Sequence, residues 1–224
     1  AQAKDAFKLF ETINNRGLSL NPTDIIKNFL LGNASVVGAE TLESVKEDWT
    51  KIVLSLDGID MDNFFRQYMA GQTGQKVTQT RLIDTFKTYY AQNIEEGESL
   101  REYEEFVEVV EDADSTRKQD LKGFAKTLRL AADIYRQIQT ADFDDDEINR
   151  RLINLKKIRS VASYTFILNL IQRSNVSSKD VLEILRMLEI FMLRRNVAEY
   201  RTSELEDIFV ALTKLPDENI VGAT

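Results

Sequence analysis

The sequence contains neither cysteine nor histidine. Without cysteine there are no disulfides, thiolate nucleophiles or zinc–thiolate sites, and without histidine the usual general base and the commonest metal ligand are missing. These absences exclude much catalytic chemistry. We therefore expect the chain on its own not to be an enzyme, and we predict no catalytic residue, metal site or bound cofactor within it.

Residues that interrupt secondary structure are also scarce, with two prolines and nine glycines in 224 residues. A many-stranded β protein would need more turns than these residues supply, so helices are favoured. No apolar run approaches the roughly 18 residues that a membrane span requires, and the N-terminus lacks the pattern of a signal peptide. We expect a soluble, cytoplasmic protein with no membrane partner.

Apolar residues recur at spacings of three and four along most of the chain, which is typical of amphipathic helices. The fold class is therefore all-α: an irregular bundle of about ten helices. It forms either a single elongated domain or two helical subdomains, 1–92 and 93–224. The expected helices lie at about 4–14, 22–31, 39–56, 60–70, 78–93, 99–113, 116–140, 146–158, 160–173, 178–197 and 202–214.

Local signals predict where several of these helices begin and end. Asn21 before Pro22 is a start signal, and Gly32 with Asn33 is a stop signal. Ser178 and Thr202 are the expected caps of the last two helices. Residues 164–171 also have strand propensity, but their helical flanks and the lack of a partner strand favour a helix.

The helix expected at 178–197 is apolar on most of its circumference. A helix of that kind is normally buried on all sides. We therefore expect this helix at the centre of the bundle.

Charge is distributed unevenly along the chain, whose net charge is −8. Residues 93–149 carry 7 basic and 17 acidic side chains, whereas residues 150–201, here called the basic block, carry 11 basic and 4 acidic ones. Two interpretations stay open. The blocks are solvated helix faces that attract one another, or the basic block faces a polyanion.

Two further segments are expected to have only a structural role, with no bound ligand. The acids at 142–147 have the wrong spacing for an EF-hand, whose sixth position is glycine, because the sixth residue from Asp142 is Glu147. They are expected at the start of a helix, where the dipole favours negative charge. The segment between Gly71 and Gly74 is expected to be a linker, because the lysine–threonine or lysine–serine ending of a phosphate loop is missing.

A polar loop at 14–17 joins the first two expected helices. Asn14 can bond to nearby backbone, Gly17 can adopt a positive φ, and Arg16 presents a planar fork of donors that suits phosphate or carboxylate. The loop is either structural, with Arg16 pairing an acid such as Asp24, or part of a ligand site.

The segment 10–28 resembles the signature FE-x-x-N-x-RG-x-x-L-x-x-x-D-x-x-KN of an uncharacterised-domain family typified by the GmrSD type IV restriction endonucleases. Further along, residues 191–195 followed by 205–209 resemble the RR…F stretch near the end of that family's helical part. The residues that match the signature are Phe10, Glu11, Asn14, Arg16, Gly17, Leu20, Asp24, Lys27 and Asn28.

Members of that family have an N-terminal ParB-like part, in which a DGQQR motif takes part in nucleotide binding and hydrolysis, and many end in an HNH-type nuclease domain. This sequence contains no DGQQR motif. The resemblance thus implies the helical middle of a nucleotide-dependent endonuclease, with Ala1 just downstream of the ParB-like core. The nucleoside triphosphate, the magnesium ion and both further domains belong to that parent.

The resemblance also implies roles for individual residues. Asn14, Arg16 and Gly17 are nucleotide-proximal, and the other signature residues are structural. In the polyanion-facing interpretation of the charge distribution, the basic block faces DNA through Arg150, Arg151, Lys156, Lys157, Arg159, Arg194 and Arg195. One alternative is a helical protein–protein interaction scaffold, and another is a hydrolase that uses carboxylates and a metal.

Overall fold

The computed structural model describes residues 21–94, 119–217 and 220. Within these ranges the chain is all-α, with nine α-helices and no strand. The helices are α1 (Pro22–Val37), α2 (Ala39–Ser55), α3 (Met61–Thr73), α4 (Leu82–Asn93), α5 (Leu121–Thr140), α6 (Asp146–Lys157), α7 (Tyr164–Ile171), α8 (Ser178–Val197) and α9 (Leu205–Thr213). Short 3-10 helices at Gln79–Arg81, Val161–Ser163 and Thr202–Glu204 precede α4, α7 and α9.

The all-α prediction is confirmed for these residues, and each of the nine helices falls where periodicity placed one. The helices expected at 4–14 and 99–113 lie outside the described residues. No helix in the described part is long and apolar enough to cross a membrane.

Helix α1 begins as predicted but ends later. The Asn21 side chain accepts a hydrogen bond of 3.0 Å from the Thr23 amide, and Pro22 occupies the first helical position. The predicted stop at Gly32 and Asn33 is wrong, because the helix continues to Val37. Its buried stripe extends past Gly32 to Ala34, so tertiary burial outweighs the local tendency of these residues to end a helix.

The predicted linker at 71–74 is also wrong. Gly71 lies inside α3, where its carbonyl accepts a hydrogen bond of 3.2 Å from the Asn169 side chain on α7. The helix ends two residues later at Thr73. Gly74 follows in the left-handed conformation, at φ +59°, which a residue without a Cβ adopts at low cost.

The caps of the last two helices differ from those expected. Ser177, not Ser178, caps α8: its hydroxyl accepts from the Asp180 amide, and the Asp180 carboxylate accepts from the Ser177 amide at 2.9 Å. This reciprocal capping box satisfies two amides that the helix leaves free. Thr202 opens a 3-10 turn and makes no side-chain cap bond.

Contacts group the chain into two compact units. Among the described residues, the first unit comprises those up to Asp57 together with Gln79–Leu130, and the second comprises Gly58–Thr78 together with those from Ala131 onward. The two helical subdomains expected at 1–92 and 93–224 stay a prediction.

The first unit is built around aromatic rings from three helices. Phe29 of α1 meets Tyr90 of α4 edge-on with ring centroids 5.0 Å apart, and Phe124 of α5 lies 5.9 Å from Phe86. Phe86, Tyr90 and Phe124 are almost completely buried. Such pairs contribute both apolar burial and a preferred geometry, which holds α1, α4 and the start of α5 together.

In the second unit, α7 is the helix that is buried on all sides. Six of its eight residues are buried, and its sequence contains no charged side chain. The prediction that α8 is the centrally buried helix is wrong. Only one of its faces is buried, and the opposite face is exposed. The residues of the buried face are Val181, Ile184, Leu185, Leu188 and Met192.

Candidate functional site

The signature segment is described only in its second half. Asp24, Lys27 and Asn28 lie in the first two turns of α1, at spacings that place them on one face of the helix. Asp24 is exposed, and Lys27 and Asn28 are half-buried. The remaining signature residues, including those predicted to be nucleotide-proximal, lie outside the described residues; these are Phe10, Glu11, Asn14, Arg16, Gly17 and Leu20.

The acids at 142–147 form a helix start, as predicted. The Asp145 carboxylate caps α6 by accepting from the amides of Glu147 at 2.9 Å and Ile148 at 3.3 Å. Asp142 makes an ion pair of 3.1 Å with Arg136. No group of three or more acidic side chains in the described part is arranged to hold a metal ion.

The basic block lies within the second unit, and its candidate DNA-facing residues divide into two groups. Five are exposed, namely Arg150, Lys156, Lys157, Arg159 and Arg194. The other two, Arg151 and Arg195, are turned toward other parts of the protein. The sequence could not separate the two groups, because both have the same charge and similar neighbours along the chain.

Arg151 joins α6 to α8. Its guanidinium donates a hydrogen bond of 2.9 Å to Glu189, whose second oxygen accepts from the Asn154 side chain at 3.0 Å. The Arg151 and Glu189 side chains are only 23% and 15% exposed. Because its charge is already paired in a sheltered position, Arg151 is held as a helix-packing residue in this arrangement.

Arg195 packs against aromatic rings and backbone at the C-terminal end of α8. Its guanidinium carbon lies 5.7 Å from the centre of the Phe191 ring and 5.2 Å from that of Tyr200, and one nitrogen donates to the Arg201 carbonyl at 2.7 Å. The side chain is 13% exposed. Arg194, its neighbour in the sequence, is exposed, so the two arginines have different environments.

Three exposed cations lie at and just after the C-terminal end of α6. Lys157 and Arg159 make no ion pair with a described carboxylate, and Lys156 makes one hydrogen bond of 3.2 Å to the Gln139 carbonyl. Arg150 is exposed as well, but it pairs with Glu147 one turn earlier. Lys156, Lys157 and Arg159 are here called the α6 cations.

A second charged cluster in the same unit is structural. Arg66 donates to Glu206 at 3.0 Å, and the Lys76 ammonium lies 3.2 Å from the other Glu206 oxygen. Burial raises the pKa of Glu206, but the two cations outweigh it and hold that pKa below its ordinary value. The carboxylate therefore remains charged at neutral pH, which suits an ion pair that ties α3 to the first turn of α9.

Two features escaped the sequence reasoning. Arg173 lies in an internal hydrogen-bond cluster after α7, although its position in the sequence resembles that of the exposed arginines. The outer face of α8 exposes apolar side chains. A signal for the second feature was present, because Arg186 and Arg194 interrupt the apolar sequence at spacings that mark a solvent-facing stripe.

Comparisons with known proteins yield no match, whether to a family model, to a curated protein or to a solved structure. A functional proposal for this chain therefore depends on its own residues and on the signature at 10–28.

Proposed function

We propose that this chain is a non-catalytic helical domain of a larger, cytoplasmic, nucleotide-dependent restriction or anti-phage protein, and that its basic block faces DNA. The loop at 14–17 completes the nucleotide site of the ParB-like domain, and the helices relay the nucleotide state to a C-terminal nuclease. Nucleoside triphosphate and magnesium bind to that larger protein. The signature at 10–28 is the basis of the nucleotide part of this proposal.

The observation that supports the DNA part is the exposure of the α6 cations. Lysine and arginine bind the duplex mainly through its phosphates, and each contact releases condensed counterions. Three exposed cations within four residues of the chain, in a block with few acids, suit such contacts. Arg151 and Arg195 are not needed for them, because both are engaged within the protein.

Replacement of all three α6 cations by glutamine is expected to weaken binding to duplex DNA by at least about tenfold at low salt. The slope of log affinity against log salt falls by about one for each phosphate contact that is lost. Fluorescence anisotropy with a labelled duplex at several salt concentrations measures both quantities.

The matched control replaces three exposed lysines of the first unit, Lys46, Lys51 and Lys126, by glutamine. This variant has the same net charge but an intact basic block, so its affinity is expected to stay close to that of the parent sequence. Equal losses of DNA affinity in the two variants, or no DNA binding by the unsubstituted chain at low salt, would contradict the DNA part of the proposal.

Arg16→Ala in the full-length protein is expected to lower nucleotide turnover by about a hundredfold, as expected when one donor to a developing phosphate charge is lost. Steady-state hydrolysis measures the turnover, and thermal unfolding is followed in parallel. Arg186→Ala, at an exposed position on α8, is the control. Unchanged turnover with a lowered melting temperature would assign Arg16 a structural role instead.

A helical interaction scaffold is the second candidate function. The observation that favours it is the apolar outer face of α8, because contiguous exposed apolar surface commonly marks an interaction site. Failure of the chain to bind DNA at low salt would favour this candidate over the first.

A further inference from the structure

The outer face of α8 combines exposed apolar side chains with cations. On an ideal helix, its central stripe runs through Arg186, Ile190, Arg194 and Val197, directly opposite the buried face. This stripe spans about three turns, or roughly 16 Å. The exposed apolar residues of this face are Met187 (44% exposed), Ile190 (42%), Phe191 (36%), Leu193 (43%) and Val197 (85%).

The two arginines of this face have no acidic partner among the residues that the structure describes. No described carboxylate lies within ion-pair distance of Arg186 or Arg194, whereas Arg151 and Arg195 of the same block both have one. Lys179 is exposed at the start of the helix, and the acid on this side, Glu183, is half-buried. The face therefore carries excess positive charge among its exposed apolar side chains.

The helix that carries this face is well anchored. Its N-terminus has the capping box of Ser177 and Asp180, and Glu189 ties it to α6. At its other end, Phe191 meets Phe209 of α9 edge-on at 6.4 Å and lies beneath the Arg195 guanidinium. A surface held in place before binding loses little conformational entropy when a partner docks.

We propose that the outer face of α8 binds an acidic amphipathic helix of a partner protein. Apolar side chains of that helix, at spacings of three and four, cover Met187, Ile190 and Leu193. Its flanking carboxylates pair with Arg186 and Arg194. This is the helix-in-groove mode of peptide recognition, in which apolar anchors provide affinity and charges set orientation.

Two other occupants fit this face less well. DNA presents a phosphate backbone, which offers no apolar surface to cover five exposed apolar side chains. A second copy of the chain would place the same face against itself. Because a two-fold contact is self-complementary, Arg186 and Arg194 would then approach cations of their own kind. This inference is independent of the nucleotide site.

The probe is a fluorescein-labelled peptide of about four helical turns, with leucine along one face and glutamate elsewhere. We expect it to bind the full chain, and the double variant Arg186→Glu with Arg194→Glu to bind at least about tenfold more weakly. A peptide with lysine in place of glutamate should recover affinity for the double variant. A peptide of the same composition with its leucines scattered around the helix should not bind.

The control variant, Lys46→Glu with Lys51→Glu, makes the same charge change at two exposed lysines of the first unit and is expected to bind the probe as the unsubstituted chain does. Ile190→Ser removes an apolar contact and is expected to weaken binding while leaving the urea midpoint unchanged. The proposal is overturned if the probe does not bind at millimolar concentration, or if the Arg186/Arg194 variant binds it unchanged. It is also overturned if Ile190→Ser abolishes duplex DNA binding, or if it dissociates a dimer seen by sedimentation.

Discussion

Arg173→Gln is expected to lower the free energy of unfolding by about 3 kcal/mol, because it removes a charged donor from a sheltered cluster. The Arg173 guanidinium donates to the carbonyls of Thr213 and Leu215, at 2.7 Å each, and to the Asp217 carboxylate at 2.9 Å. It also donates to the Asn169 side chain at 2.9 Å. One side chain thus ties the end of α7 to the end of α9.

A glutamine at this position cannot reach all of these acceptors, so the carbonyls at the end of α9 lose their partner. Urea unfolding followed by circular dichroism measures the decrease in the free energy of unfolding. Hydrogen exchange measures the local effect: relative to the unsubstituted chain, exchange should accelerate more in α9 than in α3. Arg186→Gln is the matched control, because Arg186 is exposed and unpaired among the described residues. We expect it to change the free energy of unfolding by no more than about 0.5 kcal/mol. Equal unfolding midpoints for the two variants would show that the Arg173 cluster contributes little.

Phe64→Ala is expected to lower the free energy of unfolding by about 3–5 kcal/mol, the usual range for removing a fully buried phenyl ring. Phe64 on α3 is completely buried and has three aromatic neighbours. Its ring centre lies 5.0 Å from that of Phe65, 5.4 Å from that of Tyr135 and 6.0 Å from that of Tyr68. The closely packed rings leave little room for the surrounding side chains to fill the space, so a cavity remains.

Phe191→Ala is the control for this substitution, since it removes the same ring from a position that is 36% exposed in the same unit. We expect it to cost no more than about 1 kcal/mol, mostly from the contacts with Phe209 and Arg195. Tyr135 supplies a second measurement. Burial raises its pKa to about 12, so a cavity that admits water should bring the midpoint of its ultraviolet titration closer to 10. Similar stabilities for the two alanine variants would contradict this view of the core.

Helix positions could be predicted because the signals that set them are local. The period of three to four identifies a helix whichever neighbours it meets, and Asn21 before Pro22 starts α1 through bonds made within the next few residues. The stop signals were less reliable. Gly32 and Gly71 both lie inside helices, because the buried stripe of α1 continues past Gly32 to Ala34, and Gly71 is itself buried against Asn169 of α7.

Burial was harder to predict than helix position. α8 has a longer apolar sequence than α7, but α7 has the higher proportion of apolar residues, six of eight against eleven of twenty, and α7 is the buried helix. Composition indicates how much of a helix can be buried, but packing against the other helices of the unit decides how much of it is actually buried. The arginines show the same limit: Arg151, Arg173 and Arg195 bind partners that are remote in sequence or brought close by a turn, whereas Arg186 and Arg194 remain exposed.

By itself, the sequence determined the all-α class of the described residues, the positions of their nine helices, the absence of histidine and cysteine chemistry, and the location of the basic block. These follow from composition and from interactions within a few residues. Tertiary structure alone decided which helix is buried, which cations are paired and which remain exposed, and that α8 presents an apolar, basic face. Those outcomes depend on the surfaces that meet in space, and the one-dimensional pattern does not contain that information.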